Sequence, residues 1–347
     1  MKLLTNTKRW IKYGWKANHL HGDKKDIRGN NQFIIFDTGL YAENLGDWII
    51  NEYCQKEFSQ MGINIIHRIP TQSKVTEDDN KFLLDQIDTG KIITGTNVLC
   101  NHVFDSNQWQ KPIIDERLSH LVLMGVGVDN YEKKMDDFTK KFYRSFLDDR
   151  YLHSVRDSFS ETLLKSIGIE NVVNTACPTM WNLTPDFCRN INRYKTDDVI
   201  TTVTEYDRSP IDFAVLDLLL EKYRNVYLWL QGEKDLPYIK MYKQYNKLKI
   251  VDYSLSAYND VLKRKNIEYV GTRLHGGIHA LNQGLRTLII AVDGRGQTIG
   301  KDTNLPTIKR EEAIDKLESL ILMPRETYIS LPMENIELWR KSITGKQ

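Results

Sequence analysis

Gly271-Thr272-Arg273-Leu274-His275-Gly276-Gly277 is the segment whose residue types and order are best suited to chemistry. It follows an apolar run ending at Tyr269-Val270 and opens a stretch of helical periodicity that Gly284 should stop, which places it at a helix N-terminus. Backbone N–H groups and the positive end of the helix dipole favour an anion there, and small residues let a phosphate come close. Arg273 adds a planar fork of donors suited to phosphate or carboxylate, and His275 can exchange a proton near neutral pH. Alone, either residue would more often be a salt bridge or a structural histidine. Together at a strand-to-helix turn with two glycines, they point to an anionic substrate and acid chemistry.

Other strand ends carry weaker signals. Val155-Arg156-Asp157-Ser158 closes a strand, and Ser158-x-x-Glu161 has the spacing of a capping box. Arg156 is not needed by that cap, so it is either a second cation facing a crevice between domains or a surface partner of Asp157. The run from Asp37-Thr38-Gly39 to Asn44-Leu45-Gly46-Asp47 forms the first strand-to-helix loop. Asp47 there is either an N-cap or a group that binds an acceptor and moves its proton. Gly125-Val126-Gly127 lacks the third glycine and the downstream acid of a dinucleotide loop, so a close-packed strand end is the better reading. Glu205, Gln231 and Glu233 follow strands and could touch substrate, although each alone is more often a solvated loop residue. The signatures of P-loop enzymes, zinc proteases, serine hydrolases and paired-cysteine metal sites do not occur, and neither a metal nor a cofactor is expected.

The elements that must position these residues recur as apolar runs of strand length, each followed by a turn and a helical stretch. Strands are expected at 33–36, 63–66, 92–94, 121–124 and 152–155, then at 199–203, 226–230, 249–251, 268–270 and 288–292. Helices are expected at 47–59, 136–147, 211–223, 236–245, 255–263 and 277–282. Near-continuous β-branched runs suit strands covered on both faces, hence an α/β protein of two Rossmann-like domains, each with a parallel sheet. The polar stretch Thr184 to Asp198 suggests the linker. The division is then a basic arm over 1–30, domains over 31–185 and 195–325, and a C-terminal helical segment over 326–347. Open parallel sheets bind ligands at the carboxyl ends of their strands, where the residues above fall.

Composition sets outer limits. A chain of 347 residues exceeds one ordinary core, and 48 Lys and Arg against 46 Asp and Glu leave a net charge of +2, which does not suit a dedicated nucleic-acid binder. Cys54, Cys100, Cys177 and Cys188 are widely spaced, as expected of free thiols in a reducing compartment. No apolar stretch reaches the ~20 residues of a membrane span, so the expected location is cytoplasmic. The arm carries eight basic residues from Lys2 to Arg28 with Trp10, Tyr13 and Trp15 between them. It is either a solvated arm or a peripheral contact with an anionic membrane surface.

Four segments, in order, carry a likeness to a known family: Asn44-Leu45-Gly46-Asp47; Ser154-Val155-Arg156-Asp157-Ser158 with Leu164 and Gly168-Ile169; Cys177-Pro178-Thr179; and Arg273-Leu274-His275-Gly276 with Ala280 and Gly284. The pattern resembles the polysaccharide pyruvyl transferase family, which often has three glycines where this chain has Gly95-Thr96-Asn97. The resemblance implies two facing Rossmann-like domains of glycosyltransferase-B type. It also implies transfer of the enolpyruvyl group of phosphoenolpyruvate, the donor substrate, onto a hexose such as galactose as a cyclic ketal. The acceptor would be a lipid-linked or nucleotide-linked precursor of a bacterial capsule or surface polysaccharide. Arg156, Arg273, Leu274, His275 and Gly276 fall on the donor side, and Asn44 and Asp47 on the acceptor side. His275 is then the candidate acid, with Asp47 or Glu205 to take the acceptor's proton. A nucleotide-sugar glycosyltransferase on the same frame is the rival reading, and a non-catalytic glycan-binding subunit a third.

Overall fold

A computed structural model describes residues 31–104, 108–131, 134–264 and 266–345. The basic arm expected over 1–30 lies outside the described residues. The chain forms two compact units: one holds the residues up to Ala42 with Ile50–Pro178 and the chain from Pro332 on, and the other holds Glu43–Ile49 with Thr179–Leu331. Among the described residues no helix is long and apolar enough to cross a membrane.

In chain order the first part reads β1 (Gln32–Asp37), α1 (Leu45–Met61), β2 (Asn64–Pro70), α2 (Glu77–Asp85), β3 (Gly90–Thr94), β4 (Leu121–Met124), α3 (Asp137–Phe146), β5 (His153–Val155), α4 (Ser158–Lys165) and β6 (Val172–Asn174). The first unit's main sheet is parallel with order β2-β1-β3-β4, and β5 and β6 pair beside it. The strands β3 and β4 are buried along their whole length, as the unbroken apolar runs predict for a sheet covered on both faces. Ile34, Phe36, Ile93, Leu121 and Leu123 build the core with Trp109, Phe142 and Phe146 from the covering layers.

The second part continues with α5 (Pro185–Arg189), β7 (Asp198–Thr201), α6 (Pro210–Lys222), β8 (Asn225–Trp229), α7 (Asp235–Ile239), β9 (Lys249–Val251), α8 (Leu255–Leu262), β10 (Ile267–Gly271), α9 (Leu274–Asn282), β11 (Thr287–Ala291), α10 (Gly294–Thr303), β12 (Thr307–Lys309), α11 (Ala313–Leu322) and α12 (Met333–Thr344). Its six-stranded parallel sheet has the order β12-β11-β10-β7-β8-β9, so the chain winds outward in both directions from β7 and β10. That pair is the switch point, where loops leave in opposite senses, the position at which open parallel sheets generally bind ligands.

Several local expectations change. The chain passes between units at Pro178–Thr179, ahead of the stretch 184–198, which contains α5 and lies in the second unit. Helix α12 belongs with the first unit: Trp339 is fully buried and its indole N–H donates to the Leu123 carbonyl at 3.1 Å. Arg340 there grips both carboxylate oxygens of Glu57 at 2.6 and 2.9 Å. Ser158 and Glu161 do not form a capping box, because α4 is capped one residue earlier by Asp157, whose carboxylate accepts the Ser160 N–H at 2.8 Å. Glu161 instead accepts the Asn174 N–H at 3.2 Å. Nor is Asp47 the N-cap of α1, since the helix begins at Leu45 and Asn44 accepts the Gly46 N–H at 2.9 Å. Asp47 sits in the first turn, beside the positive end of the helix. The helix expected over 236–245 stops at Ile239, and β6 and β12, three residues each, are strands the sequence pattern does not announce.

One buried cation gives the first unit a pH signature. Lys91, inside β3, points its ammonium at the carbonyls of Thr89, Ile87 and Gln86 at 2.7, 3.1 and 3.3 Å. Removal from water drives its pKa down to about 7, against a smaller upward pull from Asp88. The unfolded chain keeps this proton to roughly pH 10.4 while the folded chain releases it near 7, so the unfolded state binds more protons in that window. The Lys91 contribution to stability is therefore full above the window and lost as pH falls through it. Urea unfolding of the natural chain and of Lys91→Met should show their stability difference shifting in favour of the natural chain between about pH 7 and 10; a constant difference would refute this.

Candidate functional site

Strands β10, β7 and β8 are neighbours, so the segments leaving their carboxyl ends converge. Arg273 follows β10, Val203 and Glu205 follow β7, and Gln231, Gly232 and Asp235 follow β8. All belong to the second unit. Arg273 is only 4% exposed. Its Nε donates to the Val203 carbonyl at 2.8 Å, and its Nη2 donates to Asp235 at 2.6 Å and to Glu205 at 2.7 Å. The Tyr206 ring lies over the guanidinium, 5.0 Å from its central carbon. The backbone is pinned as well, since the Arg273 N–H donates to the Thr202 hydroxyl at 3.1 Å and its carbonyl accepts the Tyr269 hydroxyl at 2.8 Å. Among the described residues Nη1 takes no hydrogen bond, so one edge of the fork stays open.

Asp235 is fully buried and was not singled out from the sequence, where it looks like one more acid at the start of a helix. Its carboxylate accepts the N–H groups of Gln231 at 3.0 Å and Gly232 at 2.8 Å besides Arg273. Burial raises its pKa, and Arg273 with the Gly232 N–H pulls it back down. One guanidinium thus faces two carboxylates, an arrangement that fixes Arg273 in place but leaves no surplus positive charge.

Gln231 joins segments that are far apart in sequence. Its amide donates to Asn44 at 2.9 Å, its carbonyl accepts the Leu45 N–H at 3.0 Å, and Asn44 bridges to Gly232. A side chain at Gly46 would place its Cβ 2.8 Å from the Gln231 Nε2, and one at Gly276 would place its Cβ 2.8 Å from the Gln231 Oε1. The amide is therefore wedged between two glycines, one from each of the two motifs Asn44-Leu45-Gly46-Asp47 and Arg273-Leu274-His275-Gly276. Asn44 and Asp47 lie in the same unit as Arg273, and Asp47 is buried.

Helix α9 begins at Leu274 with Arg273 in the N-cap position; its side chain, which has donors and no acceptor, cannot cap the helix N–H groups and is held instead by Val203, Asp235 and Glu205. His275 lies in the first turn and is buried, as are Leu274, Gly276 and Gly277. The glycines have a packing cause that the sequence reading assigned to phosphate approach: a Cβ on Gly277 would fall 2.5 Å from Ile289. Gly284, at φ 79°, ends the helix as expected. Beneath it Trp229 and Tyr258 stack at 3.7 Å, and the Tyr258 hydroxyl donates to the Gly276 carbonyl at 2.8 Å.

In the first unit Arg156 is 1% exposed, donating to Asn97 at 2.6 Å, to Tyr131 at 3.3 Å and to Asp157 at 3.4 Å. The pair with Asp157 is buried, not on the surface. Gly127 makes room for it, since a Cβ there would lie 2.1 Å from the Arg156 Nε, and Gly125, at φ 61°, accommodates Pro178 in the same way. This bears out the close-packed strand end. Thr96 has φ 155°, in the region that glycine prefers. Glu233 is exposed.

The model of the polysaccharide pyruvyl transferase family matches residues 44–294. No curated protein matches the chain. Among solved structures it is similar to UDP-GlcNAc 2-epimerase from Methanocaldococcus jannaschii, with 11% identity, a TM-score of 0.50, and coverage of 89% of this chain and 98% of that one. A second UDP-N-acetylglucosamine 2-epimerase aligns with 9% identity, a TM-score of 0.44 and coverage of 92% of each chain. At 11% identity the likeness concerns the fold, two Rossmann-like α/β domains. The wedge makes a prediction: Gly276→Ala should cost about 1–3 kcal/mol by overpacking. Much of that cost should vanish in a Gln231→Ala background, and strict additivity in a double-mutant unfolding cycle would rule the wedge out.

Proposed function

Because the chain belongs to the polysaccharide pyruvyl transferase family, we propose that it transfers the enolpyruvyl group of phosphoenolpyruvate to a hexose, galactose being the first choice, of a surface-polysaccharide precursor. The observation that carries the donor assignment is the fixed Arg273, with Nη1 open at the start of α9 and at the sheet's switch point. Phosphoenolpyruvate presents a carboxylate and a phosphate, and a guanidinium edge beside helix N–H groups suits either. Arg156, at the end of β5, is a second donor-binding residue in this reading, and Leu274 and Gly276 contribute backbone.

The reaction adds a proton to the methylene carbon, which becomes a methyl group. One sugar hydroxyl bonds to the cationic C2, the C2–O bond to phosphate then breaks, and a second hydroxyl closes the cyclic ketal; of the two hydroxyl protons released, one balances the proton given to the methylene carbon and the other leaves with phosphate. His275, in the first turn of α9, supplies the proton or stabilises the departing phosphate. Asp47 takes the acceptor's proton, with Asn44 beside it on the acceptor side; Glu205 already bonds Arg273. The acceptor is a lipid-linked or nucleotide-linked glycan of capsule type met in the bacterial cytoplasm, and the basic arm over 1–30 brings the enzyme to the inner membrane face.

Thermal unfolding with phosphoenolpyruvate, and separately with uridine and guanosine diphosphates, tests the donor. A ligand at about 100 times its Kd adds about 2.7 kcal/mol to stability. Stabilisation by phosphoenolpyruvate should disappear in Arg273→Ala, and Arg273→Ala and His275→Ala should each lose transfer while remaining folded. Stabilisation by a nucleoside diphosphate alone would replace this reading with glycosyl transfer, and full activity in either variant would remove the site assignment.

A further inference from the structure

A cavity of about 540 Å³ opens in the second unit, away from Arg273. Ile191 and Thr327 are buried in its lining, and Arg189, Arg193, Glu326 and Tyr328 stand exposed around it. It lies toward the amino end of the sheet. The Arg193 carbonyl accepts the Arg325 N–H at 2.9 Å, and the Arg325 guanidinium donates at 2.6 Å to the carbonyl of Thr287, the first residue of β11. Arg273 follows the carboxyl end of β10, so the two places sit at opposite ends of strands of five residues, on the order of 15 Å long.

Charge limits what the cavity can hold. Each guanidinium on its rim already meets a carboxylate, Arg193 with Glu326 at 2.7 Å and Arg189 with Asp186, so the four charges cancel and an anion gains no net attraction. A wholly apolar ligand is disfavoured too, because it would strip water from those ion pairs. Thr327 is only 8% exposed, and its hydroxyl takes no hydrogen bond among the described residues. Tyr328 next to it turns 61% of its surface to solvent, while Ile329 beyond is fully buried and anchors the segment. A hexose has matching parts: an apolar C–H face for an aromatic ring, and a rim of hydroxyls for a fixed carboxylate, a guanidinium fork and an unused hydroxyl.

We propose that this cavity is a second carbohydrate site, which holds a neutral hexose of the acceptor chain at a distance from the sugar that is modified. The proposal rests on the reading of the protein as an enzyme that modifies a polysaccharide. An acceptor long enough to run from one end of the sheet to the other is held at two points. The second contact is then intramolecular, so long acceptors gain affinity by effective concentration and short ones do not.

The probes are neutral hexose oligosaccharides, galactans, glucans and mannans from disaccharide length upward, titrated calorimetrically into the full chain. At least one series should bind, more tightly as it lengthens and with little dependence on salt. Tyr328→Ala, at an exposed position, should weaken that binding about tenfold and Thr327→Val less, while Arg273→Ala retains it. Failure of every oligosaccharide to bind, undiminished binding in Tyr328→Ala, or displacement of the bound oligosaccharide by sulfate would each overturn the site. Transfer from phosphoenolpyruvate to the same oligosaccharides separates this inference from the proposed reaction. Tyr328→Ala should raise KM for long acceptors about tenfold or more, and leave kcat and the KM for phosphoenolpyruvate unchanged. Binding that depends on Tyr328 without any transfer overturns the proposed reaction alone; transfer whose acceptor KM ignores Tyr328→Ala overturns the second site alone.

Discussion

A guanidinium can be buried at the end of a sheet only if its charge and its donors are met, because an ion stripped of water and left without a partner costs several kcal/mol. Arg273 and Asp235 satisfy that constraint for each other, and the rest of the second unit's site is arranged around them. Asp235 holds Arg273, and the same carboxylate ties down the turn after β8 through the Gln231 and Gly232 N–H groups. That turn in turn receives Asn44 and Leu45. Loss of one partner of such a pair typically costs about 3–5 kcal/mol, so this interaction is structural before it is chemical.

The position of the pair follows from topology. A parallel sheet that winds outward from β7 and β10 sends the loops after those two strands in opposite senses, and Arg273, Val203 and Glu205 lie in those loops. The helix that begins there is left uncapped by its own N-cap side chain, since a guanidinium has no acceptor for the helix N–H groups. Fixed donors in a place that water enters poorly are the condition under which a developing negative charge is best stabilised.

The small residues of the motifs belong to the same logic. Gly46, Gly276 and Gly277 are glycines because Gln231 and Ile289 occupy the space a side chain would need, and Gly127 is one because Arg156 does. Motifs that look like loops shaped for a ligand are first of all surfaces shaped for other parts of the chain. Their tolerance to substitution is therefore set by packing density as much as by chemistry.

The sequence by itself determined most of the layering. Apolar runs located β1, β3, β4, β7, β8, β10 and β11, because a strand covered on both faces keeps few polar positions; Lys91 of β3 and Glu268 of β10 are exceptions that find their partners inside. The strand-to-helix turn at Arg273-Leu274-His275 and the stop at Gly284 were equally legible, being properties of consecutive residues. The strand β12, with Ile308 as its one apolar residue, and the docking of α12 onto the first unit were not legible, since a single apolar residue makes no run and a terminal helix does not announce its partner. Only the tertiary structure decided that Asp157, not Ser158, caps α4 and that Asn44, not Asp47, precedes α1, because the competing side chains lie within one turn of each other and each can accept a backbone N–H. It alone brought Asp235 and Glu205 onto Arg273 and set Gln231 between Gly46 and Gly276. Those are contacts between residues far apart along the chain, chosen by which strands lie side by side, and strand order is set by how the whole sheet packs.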